Sequence, residues 1–345
     1  MVMITHCFYL FFYRMRRLDA VLRIALAAFV LLFAGCETAQ STAQSTTPAA
    51  PAGSVVRARP ALTPWLSLTG ARLAVTADRT GTPSPQAGAL AFTRFIRPLA
   101  LAARGGDLVI LDSGAGTAYR YDAALNLMSA LRGVPVHPGT QLALGADYSL
   151  YVIDQPGRRV LRMGRNGQML ASYSDPGNLA RPVDVAVDDV RGLVIVADGA
   201  HHHLVVFHAL GGAPTVIALR GAEQSRVQAV GAIAAGPDAI YVSDPLCRCI
   251  ARVGYTGGVL STFGRDAIGQ PGALAVDRHQ RVFVVDQFER ALRIFDHARL
   301  IDTVPAQRFN MQQIDDVWID EGVLYVADGL SARVEALRIS VPRGP

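Results

Sequence analysis

The sequence contains no lysine, so all 33 of its basic side chains are arginine, and it has only five glutamates. Charged residues make up 18% of the 345 residues and apolar residues 51%, which excludes disorder over most of the chain. The net charge is +5, but residues 1–35 hold four arginines and one aspartate, so the remainder carries only +2. This near-neutral remainder and the missing lysine disfavour nucleic acid as a partner.

Several catalytic motifs are also absent. The chain has no GxSxG, no HExxH and no phosphate-binding P-loop pattern. The segment Gly114-Ala115-Gly116 lacks the third glycine of a dinucleotide-binding turn and opens no predicted helix. The sequence therefore predicts no catalytic residue and no cofactor.

The apolar run at residues 24–33 is too short for an ordinary membrane helix, which needs about 20 residues. It follows arginines and ends in small residues, as a secretory signal does. The end, Leu32-Phe33-Ala34-Gly35-Cys36, resembles the lipobox of bacterial lipoproteins, although Phe33 stands where that family usually has an aliphatic residue. The resemblance implies a signal peptide over residues 1–35 and acylation of Cys36; the alternative is a cysteine that follows an ordinary signal by chance. A start at Met15 would give a more compact signal.

Residues 36–64 are rich in Ala, Ser, Thr, Gln and Pro without periodicity, which predicts a flexible stalk after the acylated cysteine. Residues 65–92 form an N-terminal segment before the folded part, and residues 342–345 form a tail. Resemblance to Gram-negative lipoprotein sorting, with Glu37 after the cysteine, implies an outer-membrane anchor facing the periplasm or the cell surface.

Six apolar runs recur in the rest of the chain, and each ends in aspartate after residues of mainly β-branched or aromatic type. The aspartates lie 42 to 46 residues apart: Asp112, Asp154, Asp198, Asp244, Asp286 and Asp328. Most repeats hold three more short apolar runs, and four strands in about 43 residues are typical of a propeller blade. The sequence predicts an all-β, six-bladed β-propeller with four-stranded blades over residues 93–341.

The sixth repeat lacks its fourth run, because the sequence ends shortly after the third. An open ring would expose a sheet edge, so we expect the N-terminal segment to supply the missing strand. Residues 72–76 are the best candidate for it.

Two stretches resemble NHL-repeat propellers: residues 182–198, with Gly192 between two strands, and residues 317–328, with Gly322 in the same place. The resemblance covers the folded part and implies the propeller fold, which hosts many unrelated functions. The asparagine usual three residues after the aspartate is absent from all six repeats, and the later arginine is kept only at Arg159 and Arg333.

The six aspartates are predicted to accept hydrogen bonds from turn amides, since a catalytic role shared by six equivalent residues is implausible. The loops after them carry cations expected at one end of the disc, around a central funnel. These are Arg158, Arg159, His201, His202, His203, Arg248, Arg290 and Arg333. They could attract an anionic ligand, or each arginine could pair with a neighbouring acid such as Glu289 or Glu335.

Two pairs in these loops could carry chemistry. His201 and His203 point the same way in an extended chain and could bind a metal, but two histidines are too few for a structural zinc site; a surface cluster without metal is the favoured interpretation. Export places Cys247 and Cys249 in an oxidising compartment. They could form a local disulfide if the strand bends, or contribute with His203 to a metal site.

Together these patterns predict a lipid-anchored, non-enzymatic scaffold that binds an envelope protein, peptide or glycan and touches the membrane through its acyl anchor. The alternative is a metal-dependent enzyme with its site at the central funnel. Resemblance to other propellers offers two forms of it, a lactonase-type hydrolase or a peptidyl-hydroxyglycine-lyase type.

Overall fold

The computed structural model describes residues 60–73, 91–219 and 227–340. The predicted signal peptide, Cys36, most of the stalk and the predicted tail lie outside these residues. These described residues are 56% strand and 2% helix. Within the described part, the 3₁₀ turn Ala306–Phe309 is far too short to span a bilayer, and no other helix there could do so.

The strands follow one another in chain order with short connections. The N-terminal group and first blade comprise β1 (Ala61–Leu68), β2 (Gly70–Leu73), β3 (Phe92–Arg94), β4 (Pro98–Arg104), β5 (Asp107–Asp112), β6 (Thr117–Asp122) and β7 (Leu127–Leu131). The second and third blades comprise β8 (Leu142–Leu144), β9 (Leu150–Asp154), β10 (Arg159–Met163), β11 (Met169–Ser174), β12 (Pro182–Asp188), β13 (Leu193–Asp198), β14 (His203–His208) and β15 (Thr215–Ala218). The remaining strands are β16 (Ile233–Ala235), β17 (Ile240–Asp244), β18 (Cys249–Val253), β19 (Val259–Phe263), β20 (Pro271–Val276), β21 (Arg281–Asp286), β22 (Ala291–Asp296), β23 (Arg299–Pro305), β24 (Asp316–Asp320), β25 (Val323–Asp328) and β26 (Arg333–Ser340).

Repeats one to five each supply four antiparallel strands of a blade, the sixth supplies three, and the six blades close into a ring. The innermost strands β4, β8, β12, β16, β20 and β24 contact one another in sequence around the axis, and β24 contacts β4 to complete the circuit. The predicted six-bladed propeller is confirmed. Blade three therefore lies opposite blade six.

The strand that completes blade six is β1, which pairs antiparallel with β26 from Ala61 to Leu68. The prediction that residues 72–76 do so was wrong: Arg72 and Leu73 pair in parallel with β7 and extend blade one outward, together with β3. The register of β1 explains why this strand, and not β2, completes blade six. It buries Leu62 and Leu68 in the apolar clusters on either side of that blade. The predicted stalk also ended too late, because β1 already begins at Ala61.

Apolar packing between blades holds the ring together. The described residues form six buried clusters, one between each pair of neighbouring blades. The second strand of a blade contributes to the clusters on both sides, which is why β5 is buried at every position and shows no polar alternation. Full burial of one such leucine or isoleucine stabilises the fold by about 1.5–3 kcal/mol.

Antiparallel order gives the disc two distinct ends. We call the end with the turns that follow the six repeat aspartates the aspartate face; the loops that lead into each innermost strand lie there too. The turns between first and second strands and between third and fourth strands form the opposite face, where Leu125, Val190 and Leu210 are exposed.

Candidate functional site

Five of the six repeat aspartates each tie together two loops of their blade on the aspartate face, while Asp154 accepts the Gly157 amide of its own turn. Asp112 shows the pattern: one carboxylate oxygen accepts the Ile96 amide at 2.8 Å, and the other accepts the Arg97, Gly114 and Ala115 amides at 2.8–3.1 Å. Asp244 and Asp328 bind the two loops of their own blades in the same way. These carboxylates are buried within the turns they organise.

Blade two adds a side-chain donor to this pattern, since Asp154 accepts Nε of Arg159 at 2.7 Å, and the aspartates of two other blades also bind a side chain. Asp198 accepts the Ala180 and Arg181 amides on one oxygen and the His201 amide and imidazole on the other. Asp286 accepts the guanidinium of Arg293 at 3.1 Å. Burial opposes ionisation of both aspartates, but the hydrogen bonds outweigh it and hold the pKa of each carboxyl below its usual range. In each of the six blades the repeat aspartate thus accepts at least one amide of the turn that follows it.

The fixed turns present side chains to solvent. Four residues after the aspartate, the backbone adopts the left-handed conformation, with φ near +50° at Arg158, His202, Arg248 and Arg290. A non-glycine residue in that conformation is uncommon, and all four side chains are exposed. Two residues after the aspartate, blades four to six expose a large apolar side chain. These are Leu246, Phe288 and Leu330, at 68%, 74% and 52% exposure.

The five arginines among the predicted cations divide into two groups, those with and those without an ion pair. Arg159 forms an ion pair with Asp154 at 2.7 Å, and Arg333 forms one with Glu335 at 3.4 Å. Both guanidinium groups therefore bind an acid of their own blade. Within the described part of the chain, Arg158, Arg248 and Arg290 form no ion pair. The latter three are available to an anionic partner.

A cavity of about 320 Å³ lies on the axis at the aspartate face. The innermost strands and the loops leading into them line it, and its polar side chains are those of Gln141, Arg181, Asp184, Gln287, Asp315 and Asp316. None of the eight predicted cations lines it. The turns that carry those cations join second and third strands, about 7 Å further from the axis, so the predicted placement around the funnel is corrected.

Two cavity carboxyls carry strongly raised pKa values. Asp184 accepts the Ile233 amide of blade four at 2.7 Å, and Asp316 accepts the Leu101 amide of blade one at 2.9 Å. Burial raises the pKa of Asp184 to about 8, and the charge of Asp316 adds to the shift. Burial likewise raises the pKa of Asp316 to about 7, with a contribution from Asp315. These groups can exchange protons near neutral pH.

Trp318 closes the cavity from below. Its indole nitrogen donates to the Ala103 carbonyl at 2.8 Å, and its ring packs against clusters from blades one, two and three. Because it starts from blade six, it reaches across the axis. The cavity is therefore lined by polar side chains near the aspartate face and closed by an aromatic ring at its other end.

The predicted histidine and cysteine pairs occupy equivalent positions, three and five residues after Asp198 and Asp244. The rings of His201 and His203 stack with centroids 5.3 Å apart. A disulfide joins Cys247 to Cys249, whose Cα atoms are 5.3 Å apart. Arg248 between them has φ of +54°, and this is the bend that a bridge across one residue requires.

The cavity residues were missed by reasoning from the sequence. A signal was present: the position of Asp184 and Asp316 is occupied by Ala100, Gln141, Ala232 and Ala273 in the other repeats. An acid at a position that is otherwise small or neutral and faces the axis marks a departure from the structural repeat.

Comparisons with known proteins agree with the fold. The NHL repeat family model matches residues 179–207. No curated protein sequence matches. A structure of virginiamycin B lyase from Staphylococcus aureus with quinupristin is 12% identical, covers 82% of this chain and 99% of that one, and has a TM-score of 0.54.

Two further structures give similar values. A streptogramin B lyase is 9% identical over 71% of this chain and 94% of that one, with a TM-score of 0.53. A protein of unknown function from Bacteroides thetaiotaomicron is 16% identical over 73% and 72%, with a TM-score of 0.56. At such identities the likeness concerns the fold. The chain is a six-bladed β-propeller, and residues 179–207 within it match the NHL repeat family.

Proposed function

We propose that this propeller is a non-enzymatic binding module that presents its aspartate face to an envelope protein or peptide. A glycan is the other partner class that the sequence suggested. The observation that carries the proposal is the combination of buried aspartates that fix the turns and exposed apolar and cationic side chains at their tips. Phe288 and Arg290 lie on the same turn, as do Leu246 and Arg248.

Rigid turns favour binding because little conformational entropy is lost when they engage a partner. Aromatic residues and arginine are enriched where protein interfaces are strongest. The unpaired Arg248 and Arg290 favour a partner segment with acidic groups, since their charges have no counterion in the described part of the chain.

We propose the cellular location of the module from its N-terminal sequence. Export by the signal in residues 1–35 and acylation of Cys36 would hold the propeller at a membrane, on a stalk that ends where β1 begins. Several acyl chains would anchor it firmly, as each buried CH₂ contributes about 0.8 kcal/mol. The outer membrane is the membrane proposed, with the domain facing the periplasm or the cell surface.

A comparison of the two faces tests the binding proposal. Full-length protein with Leu246→Ser, Phe288→Ser and Leu330→Ser is used to capture partners from solubilised envelope, beside a matched variant with Leu125→Ser, Val190→Ser and Leu210→Ser on the opposite face. We expect the first variant to lose partners that the wild type and the second variant retain. Equal capture by both variants would contradict the proposal.

A second candidate function, an enzyme acting at the cavity, is favoured by one observation: Asp184 and Asp316 face a cavity with pKa values of about 8 and 7. A carboxyl that titrates near neutral pH can serve as general acid or base. The fold likeness to virginiamycin B lyase supplies a compound to try. Wild-type protein is incubated with quinupristin and simple lactones, beside Asp184→Asn; turnover that the variant lacks would favour this function over the scaffold.

A further inference from the structure

Three potential metal ligands converge on the aspartate face of blade three. The Oδ2 atom of Asp198 lies 2.6 Å from Nδ1 of His201 and 4.0 Å from Nε2 of His203. One ligand atom from each of the three residues lies within 4.8 Å of the others. Ligands about 2.0–2.2 Å from a tetrahedral zinc ion are about 3.4 Å apart, so these separations bracket the required geometry.

The same molecule shows that this turn brings its side chains together. In blade four, the residues three and five positions after Asp244 are Cys247 and Cys249, and they are close enough to form a disulfide. In blade three the equivalent residues are His201 and His203, whose rings stack. Side chains at these two positions therefore meet on one side of the turn, independently of the histidine chemistry.

Accessibility differs among the three side chains in a way that suits metal binding. Asp198 is fully buried, His203 is 15% exposed and His201 is 47% exposed. A buried carboxylate and a nearly buried imidazole give fixed ligands, while His201 provides the route to solvent. His202, between them, has φ of +55° and an exposed side chain, and it is not among the three grouped ligands.

Two hydrogen bonds must change for metal to bind. The first joins His201 Nδ1 to Asp198 Oδ2 at 2.6 Å; the metal would take the place of the Nδ1 proton, and that proton would move to Nε2 of the same ring. The second is made by His203. His203 Nε2 lies 2.7 Å from the Asn178 carbonyl oxygen. A carbonyl can only accept, so that nitrogen carries a proton in the metal-free protein. Metal binding would release this hydrogen bond, place the proton on Nδ1 and leave the Nε2 lone pair free. The Asn178 carbonyl would then be near enough to serve as a further oxygen ligand.

We propose that Asp198, His201 and His203 form a binding site for one Zn²⁺ ion or a similar divalent transition-metal ion, with water or the Asn178 carbonyl completing its coordination. The sequence alone offered two histidines; the third ligand is the repeat aspartate itself. The metal would link the turn of blade three as the disulfide links the turn of blade four. The proposal does not depend on which function the protein has.

Metal titration of full-length, tag-free protein tests the site. After chelator treatment, Co²⁺ is added and its d–d absorption is followed; Zn²⁺ is then added in competition, and bound zinc is counted by mass spectrometry. We expect one equivalent of metal and a spectrum typical of nitrogen and oxygen ligands. His201→Gln and His203→Gln should each weaken binding by more than about 100-fold, because loss of outer-shell partners alone costs 10–100-fold.

His202→Gln is the matched control, since it removes an adjacent imidazole from the same turn without removing a ligand. It should bind metal as the wild type does. A metal-dependent rise in melting temperature, present in the wild type and in His202→Gln and absent from the other two variants, gives a second readout. Metal-free melting curves show whether each variant is folded. Less than a tenth of an equivalent of bound metal, or equal weakening by all three substitutions, would overturn the proposal.

Discussion

Asp184 and Asp316 occupy the same position of the innermost strand in opposite blades, three blades apart. Each accepts an amide from the next blade around the ring, Asp184 from Ile233 and Asp316 from Leu101. The two carboxyls thus join neighbouring blades and also face the axial cavity. The other four repeats have a small or neutral residue at this position. The repeat pattern is therefore interrupted in two blades that lie opposite each other across the axis.

Replacement of Asp184 should change the pH dependence of stability. Its pKa of about 8 in the folded protein exceeds the value near 3.9 of an unfolded aspartate, so the folded state retains a proton that the unfolded state loses. Stability should fall as pH rises from about 4 to about 8. Asp184→Asn should reduce that fall by about 1–3 kcal/mol, because solvent in the cavity screens part of the electrostatic effect. Urea unfolding at pH 5 and pH 8 measures it.

Asp147 is a control of opposite sign. Burial opposes ionisation there too, but hydrogen bonds from Ser149 and the guanidinium of Arg162 lower the pKa of Asp147. Its contribution is present above the unfolded pKa and is lost as pH falls through the lower folded value. Asp147→Asn should therefore leave the decline between pH 5 and pH 8 unchanged. If Asp184→Asn also leaves it unchanged, the raised pKa is refuted.

Loss of the Trp318 ring should destabilise the whole propeller. Trp318→Ala removes packing against three blades and should lower the free energy of unfolding by about 3–5 kcal/mol. Trp318→Phe keeps an aromatic ring but loses the hydrogen bond to Ala103, which should cost about 1–2 kcal/mol. Circular dichroism during urea unfolding measures both.

Trp65 provides the comparison for Trp318. Trp65 lies on β1 and is 43% exposed, and the guanidinium of Arg338 on β26 lies over its ring. Trp65→Ala should cost about 1 kcal/mol or less. Equal losses for both tryptophans would show that Trp318 does not support the axis.

The repeat aspartates should matter more to stability than ordinary turn residues do. Asp328→Ala leaves the Gln312, Leu330 and Ser331 amides without their acceptor, which should cost about 2–4 kcal/mol. Asp302→Ala on β23 removes an acceptor of the Thr303 amide at the surface and should cost about 1 kcal/mol or less. Thermal unfolding of both variants checks the difference; equal melting temperatures would disprove the role assigned to Asp328.

Replacement of the acylated cysteine should release the protein from membranes. Cys36→Ser removes the proposed acyl chains and leaves the propeller sequence unchanged. Fractionation should move the variant from the membrane pellet to the soluble fraction, and labelled palmitate should enter the wild type alone. A variant that stays with the membrane would exclude the lipid tether.

The sequence revealed the blades because their strands are buried on both faces. The apolar run Leu150–Asp154, for example, matches the observed strand at every residue. Its bounds are clear in the sequence because the run is apolar without interruption up to the aspartate that ends it. Closure was harder to predict. β1 contains Pro64 and several exposed positions, so its sequence gives only a weak strand signal. It forms a strand because it pairs with β26.

The cavity escaped prediction for a different reason. Its lining comes from the innermost strands of blades two to six and the loops beside them, which are far apart in the sequence, and each innermost strand contributes one to three residues. Only radial closure brings Asp184 near Asp316. In the histidine turn, Asp198 was assigned to turn formation alone, and its nearness to both imidazoles became evident only in three dimensions.

The central claim is that partners bind the aspartate face, and site-specific photo-crosslinking in cells tests it most directly. Benzoylphenylalanine is placed at Phe288 on that face or at Leu125 on the opposite one; both side chains are largely exposed, so either site tolerates the reporter. The account predicts a discrete crosslinked product from position 288 and none from position 125. Crosslinks from position 125 alone, or identical products from both positions, would contradict it.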